Sequence, residues 1–178
     1  MTKVRWMAVF GWILWLAAGL TPATATAAMP VIFGPDAQAC QNGNGTPAFL
    51  VRVYGFKRPT GVVRVQIYGD QPDDFLAPGK YLKRIDLPVA EGKEMHVCVA
   101  LPQAGDYVVA VRHDMNGDGK SGWNDGGGFS RNPNISLFHL RPNYKDVVLS
   151  ARSGVQPVDV VLNYRSGLSI RPIKDADK

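Results

Sequence analysis

The chain has 178 residues, of which 20 are Lys or Arg and 15 are Asp or Glu, and its formal net charge is +5. This length accommodates one domain. The basic residues are spread along the chain instead of forming a cluster, which disfavours a nucleic-acid-binding protein. The mild positive charge favours solubility and a weak attraction to anionic surfaces.

The first 28 residues have the organisation of a bacterial signal peptide. Lys3 and Arg5 form a basic start, residues 6–20 contain no charge, and small residues follow at positions 23–28. Signal peptidase reads small residues of this kind, so we predict cleavage after Ala27 or Ala28. The apolar run is shorter than the roughly 20 residues that span a bilayer. We therefore expect a periplasmic or secreted protein with no transmembrane anchor in its mature form; an uncleaved anchor is the alternative.

The mature chain would contain two cysteines, Cys40 and Cys98. An even cysteine count in an exported protein predicts a disulfide. A redox or metal-binding pair is the alternative, but neither cysteine has a second one nearby. A bridge that closes so long a loop would contribute up to about 4 kcal/mol on the chain-entropy model.

Residues 29–47 lack periodicity and are rich in Pro, Gly, Asn and Ala, which predicts an irregular N-terminal segment. From Ala48 onward, apolar and polar residues alternate with the period of two that is typical of half-buried strands. The predicted strands are residues 48–56, 62–68, 81–87, 94–101, 106–113, 144–151 and 155–164. We expect the domain to cover residues 48–164 and to be followed by a polar, frayed tail at 165–178.

Seven short strands with frequent turns and no convincing amphipathic helix indicate an all-β fold. We expect an immunoglobulin-like or transthyretin-like antiparallel β-sandwich. Tyr107, two residues after Gly105, is typical of the tyrosine corner of Greek-key sandwiches. In that motif the tyrosine hydroxyl bonds to backbone a few residues upstream.

The segment after the fifth predicted strand has the residue pattern of a calcium-binding loop, Asp-x-Asn-x-Asp-Gly. Oxygens at every second position can converge on one hard cation, and Gly119 permits the bend that brings later ligands round. The candidate ligands are Asp114, Asn116, Asp118, the carbonyl of Lys120 and Asp125. Position 9 of the loop is Gly122, which has no ligating side chain. The alternative is a purely structural loop, because Asn, Asp and Gly are also the residues of tight turns.

Residues 105–120 resemble the signature of an uncharacterised bacterial exported family, the domain of unknown function 2141. The matching residues are Gly-Asp-Tyr at 105–107 and His-Asp-Met-Asn-Gly-Asp-Gly-Lys at 113–120. The resemblance extends over roughly residues 49–162 and implies an exported β-sandwich without an established activity. The chain departs from the family pattern at Ser121–Gly122, where the family has Leu-Asp, and around residues 126–128, where a Pro-x-Glu element is missing.

Other residues allow alternative functions. No pair among His96, His113 and His139 has zinc-ligand spacing, and Ser130 with His113 has the residue types of a hydrolase but no Gly-x-Ser-x-Gly motif. Four aromatic residues near the loop could contact a sugar or a membrane, or instead close the end of the core: Trp123, Phe129, Phe138 and Tyr144.

The sequence therefore predicts a non-enzymatic binding or structural module of the cell envelope, with Ca²⁺ as the one candidate cofactor. Its partner would be an unknown envelope component or another protein, and the oligomeric state stays open. A periplasmic hydrolase that uses the His113–Asp114 region is the alternative.

Overall fold

The computed structural model describes residues 30–43 and 45–173. These residues form the strands β1 Ile32–Phe33, β2 Ala48–Tyr54, β3 Val62–Tyr68, β4 Lys83–Pro88, β5 Glu94–Ala100, β6 Gly105–Asp114, β7 Gly126–Phe129, β8 Leu149–Ala151, β9 Val155–Val161, β10 Asn163–Ser166 and β11 Ser169–Pro172. The helices are short, α1 Ala37–Asn42 and α2 Tyr144–Val147, with a 3-10 turn at Pro72–Asp74. Within the described residues, no helix is long and apolar enough to cross a membrane.

The strands build two sheets. The first sheet has the order β1-β5-β2-β9, and the second has the order β11-β10-β7-β6-β3-β4 with β8 paired to β6. All pairings in the second sheet are antiparallel. In the first sheet β2 is antiparallel to β5, but β9 and β1 are parallel to their neighbours. The predicted all-β sandwich is confirmed, with two parallel pairings that the sequence did not indicate.

The core lies between the two sheets and is built from the residues that alternate along each strand. Val51 and Val53 of β2 are fully buried, and so are Val63 of β3 and Val109 of β6. Tyr107 is also buried there, and its O–H donates to the Gln103 carbonyl at 3.0 Å, which confirms the predicted tyrosine corner. Alternating strands therefore supply the inner face of both sheets, as the period of two predicts.

The N-terminal segment differs from the irregular one predicted. Helix α1 covers the outer face of β5, so that Cys98 is fully buried although it alternates away from the core. The Cys40–Cys98 disulfide is present, with the two Cα atoms 5.9 Å apart. Asp36 accepts hydrogen bonds from the Ala100 N–H, at 2.9 Å, and from Lys83. The segment is therefore a second layer on the first sheet.

The C-terminal part also differs from the prediction. The predicted strand 155–164 divides into β9 in the first sheet and β10 in the second. The first half of the predicted strand 144–151 is helix α2. Residues 165–173, predicted to be frayed, complete β10 and form β11 as far as Pro172. The predicted signal peptide, 1–28, lies outside the described residues.

Strand β7 consists of Gly126, Gly127, Gly128 and Phe129, and it was not among the predicted strands. A Cβ atom on Gly126 would lie 2.4 Å from the ring of Tyr164, and one on Gly128 would lie 2.5 Å from the Val161 carbonyl oxygen. A Cβ on Gly127, on the opposite face, would meet nothing closer than 3.7 Å. Two of these glycines are thus required by the crossing of β9 into β10.

We predict that Gly126→Ala lowers the free energy of unfolding by about 2 kcal/mol or more, because the buried Tyr164 ring cannot move away and overpacking has costs of this size. The matched control Gly127→Ala should leave stability unchanged or raise it by up to about 1 kcal/mol. Urea denaturation of the two variants measures the difference. Equal stability of the two variants would contradict this account.

Candidate functional site

The loop between β6 and β7 begins at Asp114, which is only 2% exposed. Its carboxylate accepts the N–H groups of Gly117 and Gly119, both at 2.8 Å. Both glycines have positive φ angles, 71° and 78°, a backbone conformation that suits glycine. Asp114 therefore fixes the first half of the loop through hydrogen bonds to backbone.

The middle of the loop is exposed and bonded within itself. Asp118 accepts the N–H of Lys120 at 2.7 Å, and the side-chain amide of Asn116 donates to the other oxygen of Asp118 at 2.9 Å. These two interactions, the Lys120 N–H foremost, lower the pKa of Asp118 from its ordinary value. The exposed carboxylate of Asp118 is therefore held by groups that lie two residues before it and two residues after it.

Asp125 closes the loop. One of its carboxylate oxygens accepts the Met115 N–H at 3.1 Å, and the other accepts the Gly122 N–H at 2.7 Å. It therefore joins the two ends of the loop, at the position where the calcium pattern expects the closing ligand.

The carboxylates of the loop do not gather around a common centre. Among residues 30–43 and 45–173, no group of three or more His, Cys, Asp or Glu side chains could hold a metal ion. Asp114, Asp118 and Asp125 instead accept loop N–H groups, and Asn116 bonds to Asp118. Calcium binding at these residues and at the Lys120 carbonyl stays a prediction.

Arg112 holds the loop against the sheet, a role that the sequence did not indicate. Its guanidinium donates to the Gly119 carbonyl at 2.9 Å and to the Ser121 hydroxyl at 3.1 Å, and it lies 3.5 Å from Asp114. Burial lowers the pKa of Arg112, and the neighbouring Arg64 adds to this effect. The outward position of Arg112, two residues before Asp114 on β6, is the one sequence signal for it.

His113 is fully buried and does not face the loop. Its Nε2–H donates to the Thr60 carbonyl at 2.7 Å, so that its Nδ1 accepts the O–H of Tyr164 at 2.6 Å. The Tyr164 oxygen in turn accepts the Lys57 N–H at 3.2 Å. Every polar atom of this buried chain has a partner while His113 is neutral.

The structure does not bring Ser130 to His113. Ser130 is fully buried, its hydroxyl donates to the Val147 carbonyl at 2.5 Å, and its oxygen accepts the Val109 N–H at 3.1 Å. His96 contacts Glu94 at 3.0 Å, and the backbone of His139 pairs with Ser136. The three histidines therefore have separate partners.

An open groove of about 580 Å³ crosses the outer face of the second sheet. Gln66, Ala110 and Gly127 lie on its floor, because their neighbours along each strand point into the core. Tyr81 lies on one wall, and Ser121 of the loop lies on the other. The absence of a side chain at Gly127 leaves the floor open, so that this groove is a candidate binding site.

A second groove of about 430 Å³ adjoins the first along Gly127 and Phe129. Its lining is more apolar and includes Trp123, Leu137 and Ile170. The four aromatic residues predicted near the loop divide between two environments. Phe129 and Tyr144 pack against Phe75 beneath the outer face, whereas Trp123 and Phe138 are 72% and 92% exposed.

We predict that the chain loses stability as the pH falls from 7.5 to 5.5. Burial lowers the pKa of His113, although the Thr60 carbonyl, Asp125 and Asp114 act in the opposite direction. In the unfolded chain this histidine has a pKa of about 6.5, so it binds a proton at a higher pH than the buried His113 of the folded chain does. The contribution of His113 is therefore complete above that pKa and is lost as the pH falls below it.

Urea denaturation in chelator-containing buffer should show a smaller acid loss in His113→Gln than in the wild type. The matched control His139→Gln changes an exposed histidine and should keep the full loss. The same acid loss in all three proteins would exclude His113 as its source.

The calcium hypothesis predicts that millimolar calcium raises the melting temperature relative to chelator, since extracellular calcium sites often have affinities of roughly 10⁻⁴ to 10⁻³ M. Asp118→Ala should abolish this rise while leaving the melting temperature in chelator nearly unchanged, because Asp118 is exposed. Asp73→Ala, an exposed acid outside the loop, is the control. Identical melting temperatures of the wild type in calcium and in chelator would refute calcium binding.

Comparison with known proteins shows to which family the chain belongs. No curated protein and no solved structure matches it. The family model described as an uncharacterized protein conserved in bacteria, domain of unknown function 2141, matches residues 51–159. This range runs from β2 to β9 and includes the loop that follows β6, the segment on which the resemblance in the sequence rests. The chain therefore belongs to the bacterial family of domain of unknown function 2141.

Proposed function

We propose that the chain is an exported, non-enzymatic binding module of the bacterial cell envelope, and that it binds a glycan in the groove across the outer face of the second sheet. The signal-peptide pattern of residues 1–28 supports export. The Cys40–Cys98 disulfide supports an oxidising compartment such as the periplasm.

The observation that carries the proposal is the open floor of the groove at Gly127. Binding sites in proteins are concave surfaces lined by apolar groups and a few well-placed polar ones. Here the lining combines the ring of Tyr81 with the amide of Gln66, the hydroxyl of Ser121 and the carboxylate of Asp125. The tight bonding of Asp125 and Arg112 within the loop holds that wall in one geometry.

A glycan fits this lining by its chemistry. One face of a sugar ring presents C–H groups, which contact aromatic rings, and its edge presents hydroxyl groups, which donate and accept hydrogen bonds. The lining of the groove is balanced in charge, because it contains one cation, Arg112, and one carboxylate, Asp125. A neutral polyhydroxylated ligand therefore suits the groove better than a strongly charged one.

A hydrolase finds less support. Catalysis by a serine needs a base within hydrogen-bond reach of the nucleophile. Ser130 and His113 are both fully buried and have other partners. The groove itself contains Ser121, whose hydroxyl accepts a hydrogen bond from Arg112, a group that cannot act as a base.

Calorimetric titration with soluble, uncharged oligomers of N-acetylglucosamine tests the proposal. Gly127→Leu should weaken binding at least tenfold, on the order of the 1.4 kcal/mol that such a change requires, because the added side chain would fill the floor. Its fold should persist, since a Cβ at this position meets no close atom. The control Ser153→Leu places the same leucine side chain at an exposed turn and should bind as the wild type does. Absence of binding in the wild type, or equal binding by Gly127→Leu, would refute the proposal.

A further inference from the structure

Large apolar side chains are exposed at three turns of the chain. Phe138 is 92% exposed, Leu168 is 88% exposed, Trp123 is 72% exposed and Leu140 is 57% exposed. Single exposed apolar residues are ordinary on a protein surface, but several in one region mark a site of interaction.

Two of these turns have only two residues between the paired residues. Ser136 and His139 exchange backbone hydrogen bonds of 3.3 and 3.0 Å around Leu137 and Phe138. Ser166 pairs with Ser169 around Gly167 and Leu168, between β10 and β11. Turns of two residues usually contain Gly, Asn or Asp at their tips. Phenylalanine and leucine at these tips do not serve the turn geometry, which indicates another role.

The three turns meet at the second groove. Its lining includes Trp123 from the loop after β6, Leu137 and Leu140 from the turn that bears Phe138, and Arg165 of β10. The guanidinium of Arg165 lies 3.4 Å from the centroid of the Trp123 ring. That contact joins the Trp123 loop to the hairpin whose tip is Leu168. The exposed apolar residues of these three turns are called the apolar tips below.

Basic residues outnumber acids beside the apolar tips. Arg165 and Asp125 line the second groove, and a polar depression beside the Phe138 turn is lined by Arg131, Arg141 and Lys145, with Asp146 as its acid. Aromatic and aliphatic side chains flanked by Arg and Lys are typical of proteins that lie on a membrane interface. Basic residues near an anionic lipid surface are attracted to its phosphates, and added salt weakens this attraction.

We infer that the apolar tips and the flanking basic residues form a docking surface for the anionic leaflet of a lipid bilayer. Phe138 and Leu168 insert between the lipids, Trp123 lies at the headgroup level, and the arginines and lysine contact lipid phosphates. Phe138, Leu168 and Trp123 do not line the Gln66–Tyr81 groove, so that their contact with lipid does not depend on the proposed glycan binding. Short isolated tips suit a deformable lipid layer, and the surrounding positive charge complements its phosphates.

Trp123 provides a direct readout. The other three tryptophans are Trp6, Trp12 and Trp15. A chain that begins at residue 29 therefore contains Trp123 alone, and it also contains every strand and helix that the structure describes. The tryptophan fluorescence of this shortened chain therefore reports on the surroundings of Trp123 alone.

The test is binding of this chain to sonicated vesicles of phosphatidylglycerol and phosphatidylethanolamine, with phosphatidylcholine vesicles as the neutral comparison. We expect cosedimentation and a blue shift of the Trp123 emission with the anionic vesicles, both weakened by added salt. Phe138→Ser with Leu168→Ser should weaken binding at least about tenfold, given the transfer free energy of two such side chains. The control Leu82→Ser changes a residue that is 59% exposed but lies outside the three turns, and it should bind like the wild type.

Absence of binding to the anionic vesicles would overturn the inference, and so would equal binding to neutral ones. Equal losses in the tip variant and in Leu82→Ser would also overturn it, because apolar exposure alone would then explain the binding. The glycan titration separates the two proposals. The tip variant should keep the glycan affinity of the wild type, because neither Phe138 nor Leu168 lines the groove proposed for the glycan.

Discussion

The fold depends on one buried hydrogen bond, between the O–H of Tyr164 and Nδ1 of His113. It joins β10 to β6, two strands of the second sheet that have β7 between them. The same two residues bond to the carbonyl of Thr60 and the N–H of Lys57, in the connection from β2 to β3. Because an unpaired polar atom in such a place costs about 1 to 3 kcal/mol, this chain of bonds specifies how one edge of the sandwich closes.

The position of Tyr164 in turn determines the sequence of β7. Its ring occupies the space that a side chain at 126 would fill, and the passage of β9 into β10 removes the space at 128. Glycine at 126 and 128 leaves room on the inner face of β7 for Tyr164 and for the passage of β9 into β10. Gly127 leaves the outer face open. The packing on the inner face requires glycine at 126 and 128, whereas the open floor on the outer face depends on Gly127, which that packing does not constrain.

The fold was predictable where a strand has one buried face. Val158, Val160, Leu162 and Tyr164 are all buried at every second position, and they predict a strand, yet this alternation continues without a break from the first sheet into the second. The change of sheet does not interrupt this alternation, because every second residue of both β9 and β10 points into the core. Strand β7 could not be predicted from apolar periodicity, since three of its four residues have no side chain. Helix α1 depends on a disulfide and on Asp36, contacts that are distant in sequence.

The loop after β6 illustrates a different limit. Side-chain oxygens at alternate positions can reach one cation, but the same spacing brings the carboxylates of Asp114 and Asp118 to N–H groups two to five residues further on. Sequence alone does not distinguish the two arrangements, because both use short acidic side chains and glycines with positive φ angles. In this structure the guanidinium of Arg112 supplies positive charge beside Asp114 and bonds to the Gly119 carbonyl and Ser121. The loop is thereby ordered by the chain's own groups, and it forms a fixed wall between the polar groove on one side and Trp123 with the apolar tips on the other.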